Sequence, residues 1–241
     1  MKVDTSPSTK SKPKTTEEGI PMIDIVQQIN DTHRQVGSRD IAAGEGRMVL
    51  LRRRYGAPIE DVWNAFTDPD RINRWFLPVT GDLHVGGTYQ LKGNAGGEIL
   101  HCRPPQWLNV TWVFGDSPAS EVEVRLFPSA GGGTLFELEH AAVVDPMLWG
   151  EYGPGAVGVG WDLTLLGLSM HLDGESLEEL AAWNATPEAT ECIVQSSQAW
   201  GAAHEAAGAT ASQAAAAREN TTNFYAPKVS TDAATDESQS G

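Results

Sequence analysis

The stretch APIEDVWNAFTDPDRINRWF, residues 57–76, decides how the rest of the chain is read. Pro58 suits a first helical position, because it lacks the N–H that a first turn leaves unpaired. Glu60 and Asp61 then favour the positive end of the helix dipole. Ile59, Val62, Trp63 and Phe66 follow at i, i+3, i+4 and i+7, which makes one apolar stripe. Asp68-Pro69 stops this helix and starts another, with Asp68 as N-cap and Pro69 as first residue. Ile72, Trp75 and Phe76 repeat the i, i+3, i+4 spacing. The stretch predicts two short helices meeting at an elbow, with Ile72, Trp75 and Phe76 facing inward and Arg71 and Arg74 in solvent.

Upstream of the elbow, Arg47–Tyr55 reads as a strand with Val49, Leu51, Arg53 and Tyr55 on one face. Before it, Met22, Ile25, Val26 and Ile29 fall at helical spacing, so residues 20–40 are expected to hold a short amphipathic helix. Downstream come strands: Thr88–Lys92, Glu98–Arg103 up to the turn at Pro104-Pro105, and then Leu108, Val110, Trp112 and Phe114 in alternation. Glu121, Glu123 and Arg125 alternate with Val122, Val124 and Leu126. After the Gly131–Gly133 hairpin loop, Phe136, Leu138 and His140 share a face opposite Glu137 and Glu139. Such alternation predicts an antiparallel sheet with one wet and one covered face. The cover is a helix from about Val157 to Leu172, with Trp161, Leu165, Leu168 and Leu172 on its stripe and Leu166 and Met170 widening it. The layout is α+β, with helices grouped on one face of the sheet. Thr186-Pro187-Glu188 and the Ala-rich run 211–218 open two more helices, with Ile193, Val194 and Trp200 as anchors.

Composition narrows the function classes. The chain has 241 residues and a net charge of −15. That charge argues against nucleic acid and against an anionic membrane surface, which both need a basic face. Residues 1–19 and 226–241 are polar and poor in apolar residues, and are expected to be disordered tails. No apolar h-region or membrane-length apolar run is present, so the default compartment is cytoplasmic. Cys102 and Cys192 form no CxxC pair and imply neither a disulfide framework nor a zinc module.

The order β, α, α, strands, long helix, with Val62-Trp63, Asp68-Pro69 and Trp75-Phe76 in place, resembles the START-like (SRPBCC) superfamily. Within it the chain is similar to the branch of the C-terminal domain of the activator of Hsp90 ATPase. "RWFLPVTGDLHVGGTYQLKGNAGGEI" and "GPGAVGVGWDLTLLGL" are similar to SRPBCC proteins of actinobacterial type, over roughly residues 22–225. The resemblance implies a helix-grip fold over residues 45–180: a curved antiparallel sheet wrapped around a long helix, with a cavity between them. Residues 185–225 would be a helical extension packed on it. A fold of this kind hosts unrelated activities, so function has to be argued from the site.

No sequence motif supplies chemistry. GPGAVG, residues 153–158, fits G-x-G-x-x-G but follows a loop rather than a strand, so its glycines are expected to let the loop and first helical turn press on the sheet. GNAGGE, residues 93–98, reads as a hairpin turn. The six histidines show no metal-ligand spacing, and neither a metal nor a cofactor is expected. The outward glutamates account for acidity, and Asp162 suits a helix dipole. His140, on the covered face, is either a core histidine held by a backbone carbonyl or a polar handle in the cavity. Catalysis would need an acid/base pair there, His140 with Asp162 or with Arg53.

The candidate pocket residues are Arg53, Trp63, Phe66, Trp75, Phe76, Tyr89, Trp112, Phe136, His140, Trp161 and Leu165. Three functions are expected from different classes. The lead is a small apolar ligand held between sheet and helix. The others are a protein partner, an Hsp90-family chaperone, and a polyketide cyclase or hydrolase.

Overall fold

The computed structural model describes residues 25–175 and 177–227. The predicted tails, 1–19 and 226–241, lie outside these residues except for Ala226 and Pro227, and so does Met22. A short helix α1 (Ile25–Asn30) leads into strands β1 (Thr32–Ile41) and β2 (Gly44–Tyr55). The elbow follows as α2 (Ile59–Thr67) and α3 (Pro69–Ile72). Strands β3 (Val79–Gly81), β4 (Thr88–Leu91), β5 (Gly96–Arg103), β6 (Trp107–Trp112), β7 (Ser120–Pro128) and β8 (Thr134–Ala142) come next. Helices α4 (Pro146–Tyr152), α5 (Gly155–Leu172), α6 (Leu177–Asn184), α7 (Pro187–Ala206) and α8 (Ala211–Tyr225) complete the chain. The strands form one eight-stranded antiparallel sheet in the order β1-β2-β8-β7-β6-β5-β4-β3, curved around α5 in a helix-grip arrangement. No helix among the described residues is long and apolar enough to cross a membrane.

The elbow forms as its local signals dictate. The Asp68 carboxylate accepts from the Arg71 amide, and Pro69 occupies the first turn of α3. Val62, Trp63, Ile72 and Trp75 are buried, and Trp75 stacks on Phe76 with ring centroids 5.5 Å apart. Arg74 is exposed, but Arg71 is half-buried, bonded to Asp61 at 2.6 Å and within 3.3 Å of His171 Nε2.

Alternation places Val49, Leu51 and Tyr55 of β2, Val122, Val124 and Leu126 of β7, and Phe136 and Leu138 of β8 on the concave face. These pack against Val159, Leu165 and Leu168 of α5. The opposite side of α5 carries Leu166 and Met170 into a second cluster with Trp183, Ala189 and Cys192. Leu166 and Met170 therefore do not widen the sheet-facing stripe; they form a second buried face. A helix apolar on all sides is buried on all sides, and here α6 and α7 supply the other wall.

Four further expectations are corrected. The N-terminal helix does not extend over residues 20–40: it ends at Asn30, and Thr32–Ile41 is an edge strand paired with β2 along its whole length. Glu123 and Glu137 face outward but are not wet, at 7% and 8% exposure, because neighbouring arginines and Trp107 cover them. Arg125 pairs with both, Arg52 pairs with Glu137, and Trp107 Nε1 donates to Glu123 at 2.9 Å. The glycines of residues 153–158 press on the C-terminal helices rather than on the sheet. A Cβ on Gly155 would strike Thr221 of α8, and one on Gly158 would strike the Trp200 ring of α7. Asp162, lastly, is no surface dipole partner. It is 6% exposed and accepts from both Nε and Nη2 of Arg34 at 2.9 and 3.0 Å, from Ser196 Oγ at 2.5 Å and from Trp200 Nε1 at 2.9 Å.

Candidate functional site

A cavity of about 230 Å³ lies between the sheet and α5. Of the residues singled out by sequence, Phe66, Trp75, Phe76, Tyr89, Trp112, Phe136, Trp161 and Leu165 line it. The elbow supplies the first three, β4, β6 and β8 the next three, and α5 the last two. A bulge in β5 between Ile99 and His101 keeps Cys102 on the cavity side, while His101 stacks on Trp107 outside. Leu108, Val110, Val122, Val124 and Leu138 complete the apolar floor, and strand alternation alone would have found them. Leu83 and His84 at the rim come from the loop between β3 and β4, which has no periodic signal to reveal them.

The polar groups on the wall are already committed. Tyr89 O–H donates to the Thr111 carbonyl at 2.8 Å, Thr164 Oγ1 to Gly160 at 2.8 Å, and Thr67 Oγ1 to Trp63 at 2.7 Å. Trp75 Nε1 donates to the Ala65 carbonyl at 2.9 Å. Burial pushes the Cys102 thiol up, which keeps it protonated and a poor nucleophile. A guest therefore meets apolar and aromatic surface. Stacking and dispersion are the interactions the cavity offers.

Arg53, Trp63 and His140 do not line this cavity. Arg53 is 4% exposed, with its guanidinium near the Tyr55 ring and Nη2 donating to Ser169 Oγ at 3.2 Å. Trp63 packs edge-on to Phe66, behind the lining layer. His140 sits between Trp161 and Ser120. Trp161 Nε1 donates to His140 Nδ1 at 3.0 Å, so Nδ1 carries no proton. Nε2–H is then the donor to Ser120 Oγ at 2.8 Å, and Ser120 in turn donates to the Trp112 carbonyl at 2.7 Å. Both ring nitrogens are thus used by side chains, where one of the two expected roles would have used a backbone carbonyl. Asp162 is saturated by Arg34, Ser196 and Trp200, and Arg53 donates to Ser169, so neither candidate acid/base pair with His140 is formed. Among the described residues, no group of three or more His, Cys, Asp or Glu side chains could hold a metal ion.

Burial lowers the His140 pKa from 6.5 to about 4. The unfolded chain takes up a proton as pH falls through 6.5, while the folded chain resists until about 4. Stability therefore drops across that window, by up to about 3 kcal/mol at roughly 1.4 kcal/mol per unit. His171 and His204 are shifted in the same direction by burial, so the His140 share has to be isolated with a variant. Urea unfolding at pH 4.5 and 6.5 should show a smaller loss for His140→Gln than for wild type; equal losses would show that His140 takes no part.

The fold and cavity set the class: a START-like helix grip. A family model described as activator of Hsp90 ATPase homolog 1-like protein matches residues 56–173. The crystal structure of CalU16 from Micromonospora echinospora is 43% identical, with 72% of this chain and 98% of that chain covered and a TM-score of 0.59. Its solution structure gives 43% identity, 73% and 97% coverage and a TM-score of 0.62. An Hsp90 activator from Plasmodium falciparum is 26% identical over 40% of this chain and 74% of that chain, with a TM-score of 0.38. No curated protein matches the sequence. The chain belongs to the activator of Hsp90 ATPase homolog 1-like family of START-like proteins.

Proposed function

We propose that the protein binds a small apolar molecule in the cavity between the sheet and α5. The observation that carries this reading is a space of about 230 Å³ whose wall is aromatic and aliphatic and whose polar groups are already hydrogen-bonded. Pockets for drug-sized ligands run from about 300 Å³ upward, so the guest is compact. A planar, hydrophobic molecule suits walls made by Trp75, Tyr89, Trp112 and Trp161. Native mass spectrometry of protein purified from its own host, with calorimetry against a panel of lipids and aromatic polyketides, tests it. Leu108 borders the cavity, so Leu108→Trp should fill the space and weaken uptake at least tenfold while the protein still unfolds cooperatively. Undiminished uptake in that variant, or no uptake by wild type, would overturn the reading.

The family description favours a second reading, in which the partner is an Hsp90-family chaperone. A pull-down and an ATPase assay with that chaperone test it. Unchanged turnover at excess protein counts against it.

A further inference from the structure

The concave face of the sheet does not end with the inner cavity. Val49 and Arg47 of β2 and His140 and Ala142 of β8 continue it, in paired register, beyond the end of that cavity. There the floor is roofed by α4, the first turn of α5 and the end of α8, leaving a half-open groove of about 300 Å³. The His140–Trp161 pair is the partition: His140 lines the groove and Trp161 lines the inner cavity. The roof is firmly fixed. Tyr225 O–H donates to the Ala156 carbonyl at 2.6 Å, Thr221 Oγ1 to Tyr152 at 3.1 Å, and Asn220 Nδ2 to Glu151 at 2.8 Å.

Two features say what the groove takes. Its surface is apolar, from Val49, Val144, Leu148, Trp149 and Phe224, and Leu148 and Phe224 stay 54% and 65% exposed. Its cation is Arg47, held over the Trp149 ring at 5.2 Å from the centroid and in no ion pair with any described residue. Arg34, Arg39, Arg52, Arg71 and Arg125 are each paired with a carboxylate, whereas Arg47, like Arg54, Arg74, Arg103 and Arg218, is in no ion pair among the described residues, and of these five it is Arg47 that lines the groove. In a chain of net charge −15, an arginine in no ion pair and set over an indole at the lip of an apolar groove is suited to an incoming anion.

We propose that this groove is a second binding site, separate from the inner cavity, for a small amphipathic carboxylate whose apolar body lies on Leu148, Trp149 and Phe224 and whose head pairs with Arg47. The site does not depend on what the inner cavity holds.

Sodium decanoate and 1-decanol serve as probes, titrated into the full chain with backbone and indole NMR resonances assigned. Decanoate should shift the Trp149 indole and the Ala142, Val144 and Val157 amides saturably. Arg47→Gln, a change at an exposed position, should weaken decanoate binding about tenfold and leave decanol unchanged. Shifts confined to Tyr89, Trp112 and Leu165 would place the probe in the inner cavity and overturn the proposal. So would decanoate affinity unaltered by Arg47→Gln. Sedimentation that shows concentration-dependent self-association, abolished by Leu148→Glu, would make the groove an interface between copies and overturn it as well.

Discussion

Asp162→Ala should destabilise the protein by about 3–5 kcal/mol, the cost typical of removing one partner from a buried ion pair. The carboxylate ties α5 to β1 on one side and to α7 on the other. Arg34 of β1 grips it with a two-pronged contact, and the same guanidinium donates through Nη1 to the Ile29 and Thr32 carbonyls at 2.9 and 2.8 Å. Ser196 and Trp200 of α7 donate to its Oδ2 from the other side. Alanine leaves the guanidinium in a site where its side chain is 6% exposed, and leaves an indole N–H and a hydroxyl without an acceptor. The loss should be uneven across the molecule. α7 and α8 reach the helix grip partly through this carboxylate, so hydrogen exchange in 187–225 should rise more than in β6, β7 and β8. Arg34→Met alone strands the carboxylate but leaves it two donors, and should cost less. The double variant should cost clearly less than the sum of the two, since each single change leaves a buried charge with no opposite partner and the double change leaves neither. A urea-unfolding loss below about 1 kcal/mol for Asp162→Ala would show that water or a neighbour replaces the carboxylate, against the burial argument.

The elbow was legible because its signals are local: a cap, a proline and three apolar spacings within 20 residues. The concave face was legible for the same reason, since alternation needs only the strand itself. What alternation does not give is position along the face. Arg53 and His140 do lie on the inner side, but α5 covers Arg53 and His140 faces the groove beyond the Trp161 partition, so neither lines the inner cavity. The edge strand β1 was invisible because its inward positions begin Thr32 and Arg34, polar residues with no apolar rhythm, and Arg34 is explained only by a carboxylate 128 residues away. Glu123 and Glu137 were misjudged for a related reason. Much of their cover comes from across the strands, Trp107 and Asn109 on Glu123 and Arg52 and Arg125 on Glu137, and register is not written in any one strand. The second face of α5 was hidden in plain composition: Leu166 and Met170 looked like extra width on one stripe, and only α6 and α7 show that they are the core of another contact.

Gly158→Ala should be the second large loss, and its size rests on one crossing of helices. Gly158 lies in the second turn of α5, where α7 passes so near that an added Cβ would sit 2.5 Å from Trp200 Cδ2 and Nε1 and nearer still to Cε2. Trp200 is fully buried and fixed by its bond to Asp162, so the ring has no free direction in which to retreat. Alanine ordinarily favours a helix over glycine by about 1 kcal/mol. Overpacking a close contact costs typically 1–3 kcal/mol and sometimes more, and here it acts on the largest buried ring of the extension, so a net loss of about 2 kcal/mol is expected. Gly150 supplies the control. It sits in α4 with nothing within 4 Å of an added Cβ, so Gly150→Ala should be neutral or stabilising by up to about 1 kcal/mol. One chemical change then gives opposite signs at two helical positions. Because displacing Trp200 also breaks its bond to Asp162, adding Gly158→Ala to Asp162→Ala should cost less than it does in wild type. Thermal and urea unfolding of wild type, the three single variants and the double variant decide it. A Gly158→Ala protein as stable as wild type would mean that α7 moves away freely, and the packing of the extension onto α5 would then contribute little to holding the fold.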